Sequence, residues 1–449
     1  MVNFEELKSK DIYEFAESIF PINRSLTGSG VRDTLKSIQG LIPELKIHAV
    51  DSGTKVYDWV IPKEWNIESA YIIGPKGDKI CDYAQSNLHL VGHSIPIERK
   101  ISLGELQLHL HSLPEQPEAV PYVTSYYDEN WGFCISQNDR NKLVEGEYEV
   151  LIKGSKSNGA LNYADVVFQG KSKKEIIFST YICHPSMANN EVSGISVSTF
   201  LAKWIAGLND SYYTYRFIFV PETIGSLLYI KNNLKLLKKN VIAGFNITCI
   251  GDERAYSYLP SRNGDTLADK VARHVLNKID PSYKTYSWSD RGSDERQYCA
   301  PGIDLPVASI MRSKYGEYPE YHTSLDQLGK VVTKKGLEGG LKVLQEIVLS
   351  LESNFYPMLK TVGEPQLGKR DLYPKTSIKS PQQEARLFLN LTTWSDGTKS
   401  LLDIAEILGV YVLDILPYIK ILEDKKLLRL KRQSINNPLK ILGVFFNDR

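Results

Sequence analysis

Between residues 174 and 208 the chain changes its hydrophobic period. Lys174-Glu175-Ile176-Ile177-Phe178-Ser179-Thr180 reads as a buried strand, and Ile195, Val197, Leu201, Trp204, Ile205 and Leu208 then recur at helical spacing. The connection, Tyr181 to Gly194, is a polar turn that carries His184 at the strand end and a small Ser193-Gly194 pair where the helix opens. A strand, a short polar turn and a helix make the repeating unit of an α/β sheet. In such sheets sites form at the carboxyl ends of the strands, which makes His184 a candidate site residue.

The rest of the chain extends this reading. Phe4, Leu7, Ile12, Phe15, Ile19 and Phe20 mark an amphipathic helix stopped at Pro21, and a second helix follows over about 31–41. The intervening Gly28-Ser29-Gly30 follows a helix and has no Gly-Lys-Thr, so it reads as a turn and helix cap rather than a phosphate cradle. From 48 to 140 short strand-like runs alternate with Pro, Gly and Asn turns, which predicts a β-rich module inserted into the α/β unit. Its His89, His93, His109 and His111 have no carboxylate or cysteine at ligand spacing and read as ordinary histidines. From 141 to 360 strands and helices alternate, predicting a sheet with helices on both faces and joining residues 1–47 in one domain. A linker is expected at 361–380. Residues 381–449 read as winged-helix-like, with helices ending near Asn390, Gly409 and Lys425 and Pro417 as a kink risk.

Bulk composition excludes several classes. The 449 residues are 42% hydrophobic and 24% charged with a net charge of +1, ordinary for a globular chain and without electrostatic bias toward nucleic acid or anionic membrane. Five scattered cysteines without a Cys-x-x-Cys pair argue against a disulfide framework or zinc ribbon and fit a reducing cytoplasm. The N-terminus lacks a basic segment followed by an apolar one, and no run reaches the ~18 apolar residues of a membrane span, so a cytoplasmic, membrane-free protein is expected. The segment from 381 carries ten Lys/Arg against eight Asp/Glu, so nucleic-acid binding through 400–432 is disfavoured relative to a protein-interaction or packing role.

Residues able to carry chemistry fall at strand ends or adjoining loops: His184 with Asn190-Glu191, Glu222, Asp252, and His322 before Asp326. Histidines and carboxylates from separate strand ends can converge on a metal whose bound water is activated, with a carboxylate taking its proton. Cys183 is not read as a nucleophile paired with His184, because neighbours on a strand point to opposite faces. Arg312, Tyr315, Tyr318 and Tyr321 are candidates to line a substrate cleft. Asp294 and Asp326 are candidates to orient the histidines, or else to serve as turn and cap residues.

The segments His184…Asn189-Asn190-Glu191-Val192-Ser193-Gly194, Pro221-Glu222-Thr223-Ile224-Gly225-Ser226 and Tyr321-His322-Thr323-Ser324-Leu325-Asp326 resemble the motifs of zinc aminopeptidases. More closely, the chain resembles a bacterial aminopeptidase-like family labelled polysaccharide-biosynthesis proteins, with an inserted β domain and a C-terminal winged helix. Pro62–Ile67, His111–Pro117, Val123–Tyr127 and Gly292–Gln297 look like its signatures. The resemblance implies a zinc-aminopeptidase-like mixed sheet and a hydrolase of peptide or related amide bonds, with His184 and His322 as zinc ligands and Glu222 as general base. The metal-bridging aspartate falls on Asn190, the glutamate ligand after the base on Thr223, and the second aspartate ligand on or near Thr248. What remains is one zinc ion, with its oxygen from Asn190 or from Glu191, Asp252 or Asp294. The competing expectation is a catalytically impaired pseudo-peptidase that binds a ligand and signals through the winged helix. Hydrolysis of an amide on a modified sugar is a third reading, and homo-oligomer formation stays open.

Overall fold

The computed structural model describes residues 9–208, 210–372 and 383–431. The large sheet has eight strands, numbered among themselves as β1 (Lys46–Asp51), β2 (Ala160–Phe168), β3 (Glu175–Tyr181), β4 (Thr214–Val220), β5 (Val241–Ile247), β6 (Ser257–Leu259), β7 (Lys284–Thr285) and β8 (Val307–Met311). Their spatial order is β1-β2-β4-β3-β5-β8-β6-β7. The centre, β4-β3-β5-β8, is parallel, and β1 and β2 extend one side antiparallel. Every residue of β3 is buried, as a parallel strand covered on both faces should be.

Alternate side chains of β3 feed two cores. Ile176 and Phe178 join one, with Phe217 and Phe245. Ile177 and Tyr181 join the other, with Ile218 and Val220. The first core is roofed by α1 (Ser9–Ile19), α2 (Ser29–Leu41), α3 (Ser193–Ala206), α5 (Leu267–Ile279) and α6 (Lys334–Glu352); α4 (Ile224–Asn240) covers the second. Helix α3 sits so close to the sheet that a Cβ at Gly194 would lie 2.7 Å from Thr180 Oγ1 and 2.8 Å from Ile247 O. The small pair that opens this helix is therefore required by the approach of the backbones.

The mixed sheet with helices on both faces is as expected, whereas the module boundaries differ. Residues 46–51, placed partly in the insertion from sequence, form the large-sheet strand β1. Glu147–Ser157, placed in the α/β unit, pairs along its length with Glu64–Ile73 in a separate four-stranded sheet. The insertion thus fills the connection from β1 to β2. Period alone could not reveal this, because both sheets present the same strand-like texture at the junctions. The four histidines make local contacts: His109 stacks on Trp131 and bonds its carbonyl, His89 bonds Cys134 O, His93 lies against Trp65, and His111 pairs with Cys134 in a short parallel ladder.

At the C-terminal end α7 (Gln383–Trp394), α8 (Leu401–Leu408) and α9 (Leu416–Asp424) precede Leu428–Leu430, which pairs antiparallel with Pro357–Leu359. The unit therefore draws a strand from before the expected linker. Of that linker, 361–372 is described and 373–380 lies outside the described residues, as does the expected second tail strand. Helix α8 opens with a Ser400/Asp403 capping box and closes at Gly409 in the left-handed region. Pro417 produces no kink. It lies in the first turn of α9, where its missing N–H is not needed. The unit is docked on α5 and α6: Val412 N–H donates to His274 Nε2 (2.9 Å), Glu406 meets His274 Nδ1, Tyr411 O–H donates to Glu346 (2.7 Å) and Lys278 pairs with Asp414 (2.8 Å). Among the described residues no helix is long and apolar enough to cross a membrane.

Candidate functional site

The cleft lies at the carboxyl ends of β3, β4 and β5, where the insertion reaches back to the large sheet. Strand β3 delivers His184, the turn after β4 delivers Glu222 and Thr223, and the loop after β8 delivers His322. His184 and His322 come together with ring centroids 5.4 Å apart. His184 Nε2 is 3.8 Å from Glu222 Oε2, and its Nδ1 is 3.1 Å from Glu191 Oε2. With Nδ1–H given to Glu191, Nε2 keeps its lone pair on the Glu222 side. Tyr122 of the insertion meets both imidazoles edge-on, at 5.4 and 5.2 Å, and Tyr321 stacks on His322 at 3.9 Å. Tyr122 N–H also donates to His322 O (2.8 Å), which ties the insertion to the site loop.

Burial sets the protonation states. Desolvation lowers both histidines to about 3, helped by the charge of Arg24 for His184 and, in acid, by competition with His184 for His322, so both are neutral near pH 7. Burial raises Glu222 to about 8, with Asp294 as the next cause, while Arg296 pulls in the opposite direction. Glu191 is likewise raised by burial to about 8, against the opposing pull of Arg24. Two backbone positions in the site are strained: Thr223 has φ +64° and His322 φ +56°.

Most residues at the remaining expected ligand positions are engaged otherwise, although Asp294 Oδ2 and His322 Nε2 are buried without a hydrogen-bond partner. Asn190 Oδ1 accepts from Tyr181 O–H (2.9 Å), and its buried Nδ2 has no hydrogen-bond partner. Thr248 Oγ1 shares a short bond with the same Tyr181 hydroxyl. Thr223 Oγ1 accepts from Arg296 Nη2 (2.9 Å), which places a guanidinium where a carboxylate ligand was expected. Asp252 accepts from Asn189 Nδ2, Arg254 N and both Ser313 donors, a saturated loop anchor. Asp294 Oδ1 accepts from Thr223 N–H and Ser226 O–H, both at 2.8 Å. A catalytic zinc takes three protein ligands. Here the inherited set offers two neutral imidazoles and an amide whose oxygen is already bonded. Among the described residues no three His, Cys, Asp or Glu side chains are grouped to hold a metal ion. An amide and two hydroxyls, at Asn190, Thr223 and Thr248, stand where the carboxylate ligands of a zinc pair were expected, so the inherited positions supply no acidic ligand.

Three further expectations change. Arg312 does not face the cleft; its guanidinium lies 3.8 Å over Tyr256 and its Nε donates to Ala255 O. Tyr315 is locked in the fold by Gly292 N–H and Glu295, which leaves Tyr321 as the substrate-lining candidate beside the histidines. Cys183 Sγ lies 3.6 Å from His184 Nδ1, because the strand has ended at Tyr181 and strict alternation with it. Its thiol pKa is driven far up by burial, so it stays an inert thiol that accepts Glu222 N–H.

Asp326 orients the polar turn rather than the histidines. Its two oxygens accept Asn189 N–H (2.8 Å), Asn190 N–H (2.9 Å) and Tyr318 O–H (3.0 Å). Replacing Asp326 with Asn turns an amide donor toward one of these donors. The expected loss is about 1–3 kcal/mol of stability, read by urea denaturation; an unchanged midpoint would remove Asp326 from this role.

Sequence reasoning missed Arg24, Arg296, Tyr122 and Tyr181. Arg24 is wholly buried beneath the site, its Nε 3.3 Å from Glu191 Oε1. It stood in a segment that reads as a plain turn, with no periodic signal to mark it as internal. Arg296 and the Val123–Tyr127 neighbourhood of Tyr122 belong to stretches conspicuous in sequence, but only the folded loops show which residues face the histidines.

The sheet order, the strand-end site and the docked C-terminal unit define an aminopeptidase-like α/β protein carrying a winged helix. A family model described as a domain of unknown function, DUF4910, matches residues 13–354, and a winged helix-turn-helix model matches 354–430; the chain belongs to the DUF4910 family. A curated relative from Clostridium acetobutylicum, named a polysaccharide biosynthesis protein with aminopeptidase-like domain, is 44% identical over 398 residues, covering 88% of this chain and 90% of the relative. A crystal structure of a Clostridium acetobutylicum protein described as a peptidase is 41% identical, with a TM-score of 0.88 over 94% of this chain and 96% of that one. The zinc aminopeptidase of Bacillus subtilis shares the fold at 16% identity, with a TM-score of 0.55 over 77% of this chain and 95% of its own.

Proposed function

We propose that this chain is a binding member of the aminopeptidase-like fold, holding the end of a peptide or a related amide-bearing small molecule in the cleft without a hydrolytic metal pair. The observation that carries this reading is the substitution of ligand chemistry: Asn190 bonded to Tyr181, and Thr223 bonded to Arg296. Glu222, His184, His322 and Tyr321 line the ligand's path, and Tyr122 brings the insertion over it. Neutral imidazoles and a carboxyl held protonated suit recognition of an amide, which needs both donors and acceptors. The zinc named for the more distant relatives belongs to proteins whose shared feature with this chain is the fold.

Elemental analysis of the purified full chain should find zinc far below one per chain, and a panel of dipeptides and amino-acid amides should raise its melting temperature without being cleaved. The double variant Asn190→Asp/Thr223→Glu should take up zinc that the parent leaves in solution. Stoichiometric zinc in the parent, with turnover that a chelator abolishes, would overturn the reading. Retained hydrolysis is the second reading, favoured by Glu222, a carboxyl raised to about 8 beside two histidines. The same assays decide between them.

The winged helix is proposed to serve packing or protein contact rather than nucleic-acid reading. Helix α9 carries Glu423 and Asp424 against Lys420, which itself pairs with Asp424. The turn before it is bonded to α5.

A further inference from the structure

A cavity of about 700 Å3 opens between the insertion and the large-sheet domain, lined from one side by residues 83–89 and from the other by Phe20, Asn23, Ser186 and the 324–328 loop. In a chain that is 24% charged, none of the residues lining it is an Asp, Glu, Lys or Arg. The polar groups are instead neutral amides and hydroxyls, chiefly Asn23, Gln85 and Gln327, set beside the rings of Phe20 and Tyr83. His89 adds a directed acceptor: with Nδ1–H given to Cys134 O (2.9 Å), its Nε2 is unprotonated in the neutral ring.

We propose that this cavity binds a neutral saccharide. Gln85 offers a donor and an acceptor side by side, and Gln327, whose Nε2 is given to Ser324 O, keeps an acceptor oxygen; such groups match adjacent sugar hydroxyls, and an aromatic face packs against the C–H face of a sugar ring. The absence of charge disfavours phosphate, uronate and ammonium ligands, which would need a partner on leaving water. The volume falls within the range that encloses a small ligand, here a short oligosaccharide. The floor is built: Asn87, 9% exposed, donates Nδ2–H to Ser186 Oγ (2.8 Å) and accepts Ser186 N–H, while Ser186 O–H donates to Phe20 O. Ser186 lies two residues beyond His184, so an occupant touches the segment that also positions the cleft. The inference does not depend on whether the cleft binds or hydrolyses.

The full chain is to be screened by calorimetry against soluble neutral di- to tetrasaccharides, and by affinity electrophoresis through a neutral polysaccharide gel; the first arm reports free oligosaccharide and the second reports polymer. Binding in either arm is expected. Tyr83→Ala and Gln85→Ala should each weaken it about tenfold, the loss of one stacked face or one amide pair, with Tyr57→Ala, on an exposed surface elsewhere, as the unaffected control. Gln85 is exposed, so its variant keeps the fold where Tyr83→Ala fails. No binding in either arm, or binding indifferent to Gln85→Ala, would overturn the proposal.

Discussion

Replacing Arg24 with methionine is expected to lower the unfolding free energy by about 1–3 kcal/mol near pH 7, the cost of leaving buried acceptors without their donor. Both side chains of the Arg24–Glu191 pair are fully inaccessible. The guanidinium also donates to Ile19 O (2.6 Å) and His184 O (3.0 Å), so it joins the end of α1 to the segment that holds the histidine. Methionine fills the volume but satisfies none of these acceptors. The double variant Arg24→Met/Glu191→Met should recover much of the loss, because a well-packed apolar pair carries no desolvation penalty. Urea denaturation of the parent, both single variants and the double variant closes the cycle. A cost below about 1 kcal/mol for Arg24→Met, the size expected of an exposed pair, would show that the pair does not organise the site.

The second large effect is a fall in stability as pH rises from 6.5 to 8. Glu191 and Glu222 have folded pKa values near 8 against an ordinary 4.5. Between those values the folded state holds more protons than the unfolded state, so stability drops with increasing pH and is lost through the folded pKa. His93, His184 and His322 act with the opposite sign: lowered to about 4, 3 and 3 from 6.5, they cost stability as pH falls below 6.5. Asp294 and Asp326, raised to about 6, side with the glutamates below that pH. From about 4.5 to 6.5 the two sets oppose each other, while above 6.5 the glutamates act alone. A melting-temperature profile should therefore plateau in mild acid and decline toward pH 8, and Glu222→Gln should flatten that decline. A stability that rises between pH 6.5 and 8 would contradict the burial assigned to these carboxyls.

What could be read in the sequence follows from how local each signal is. The buried run 174–180, the helix after it and His184 between them are visible within a short window, because a parallel central strand is apolar throughout and a polar turn interrupts it. The convergence of His184, Glu222 and His322 was legible only because strand ends in one sheet gather at one edge. The partition of strands between two sheets was not legible, since Glu147–Ser157 and Lys46–Asp51 declare no partner in their own composition. Nor was the diversion of Asp252 and Asp326 into backbone bonds. A carboxylate in a loop reads alike whether it faces a ligand or three N–H groups. Arg312 and Tyr315 were drawn toward the cleft by their neighbours in sequence, whereas ring stacking and the Glu295 carboxylate hold them elsewhere.

The antiparallel pairing of β1 with β2 has a consequence for how this architecture can be remodelled. Asp51 stands opposite Ala160, and the ladder is carried one step further by Ser52 N–H to Gly159 O at 2.9 Å. The two points where the insertion leaves and rejoins the large sheet are thus hydrogen-bonded neighbours, as at the mouth of a simple hairpin. A chain that jumped from one to the other through a tight turn would keep the sheet's register intact. Because Val56 and Ile61 near the first of these points pack in the sheet's second core, it is the part of the insertion beyond them that lends itself to exchange for one of different shape, to change which molecules reach the histidines.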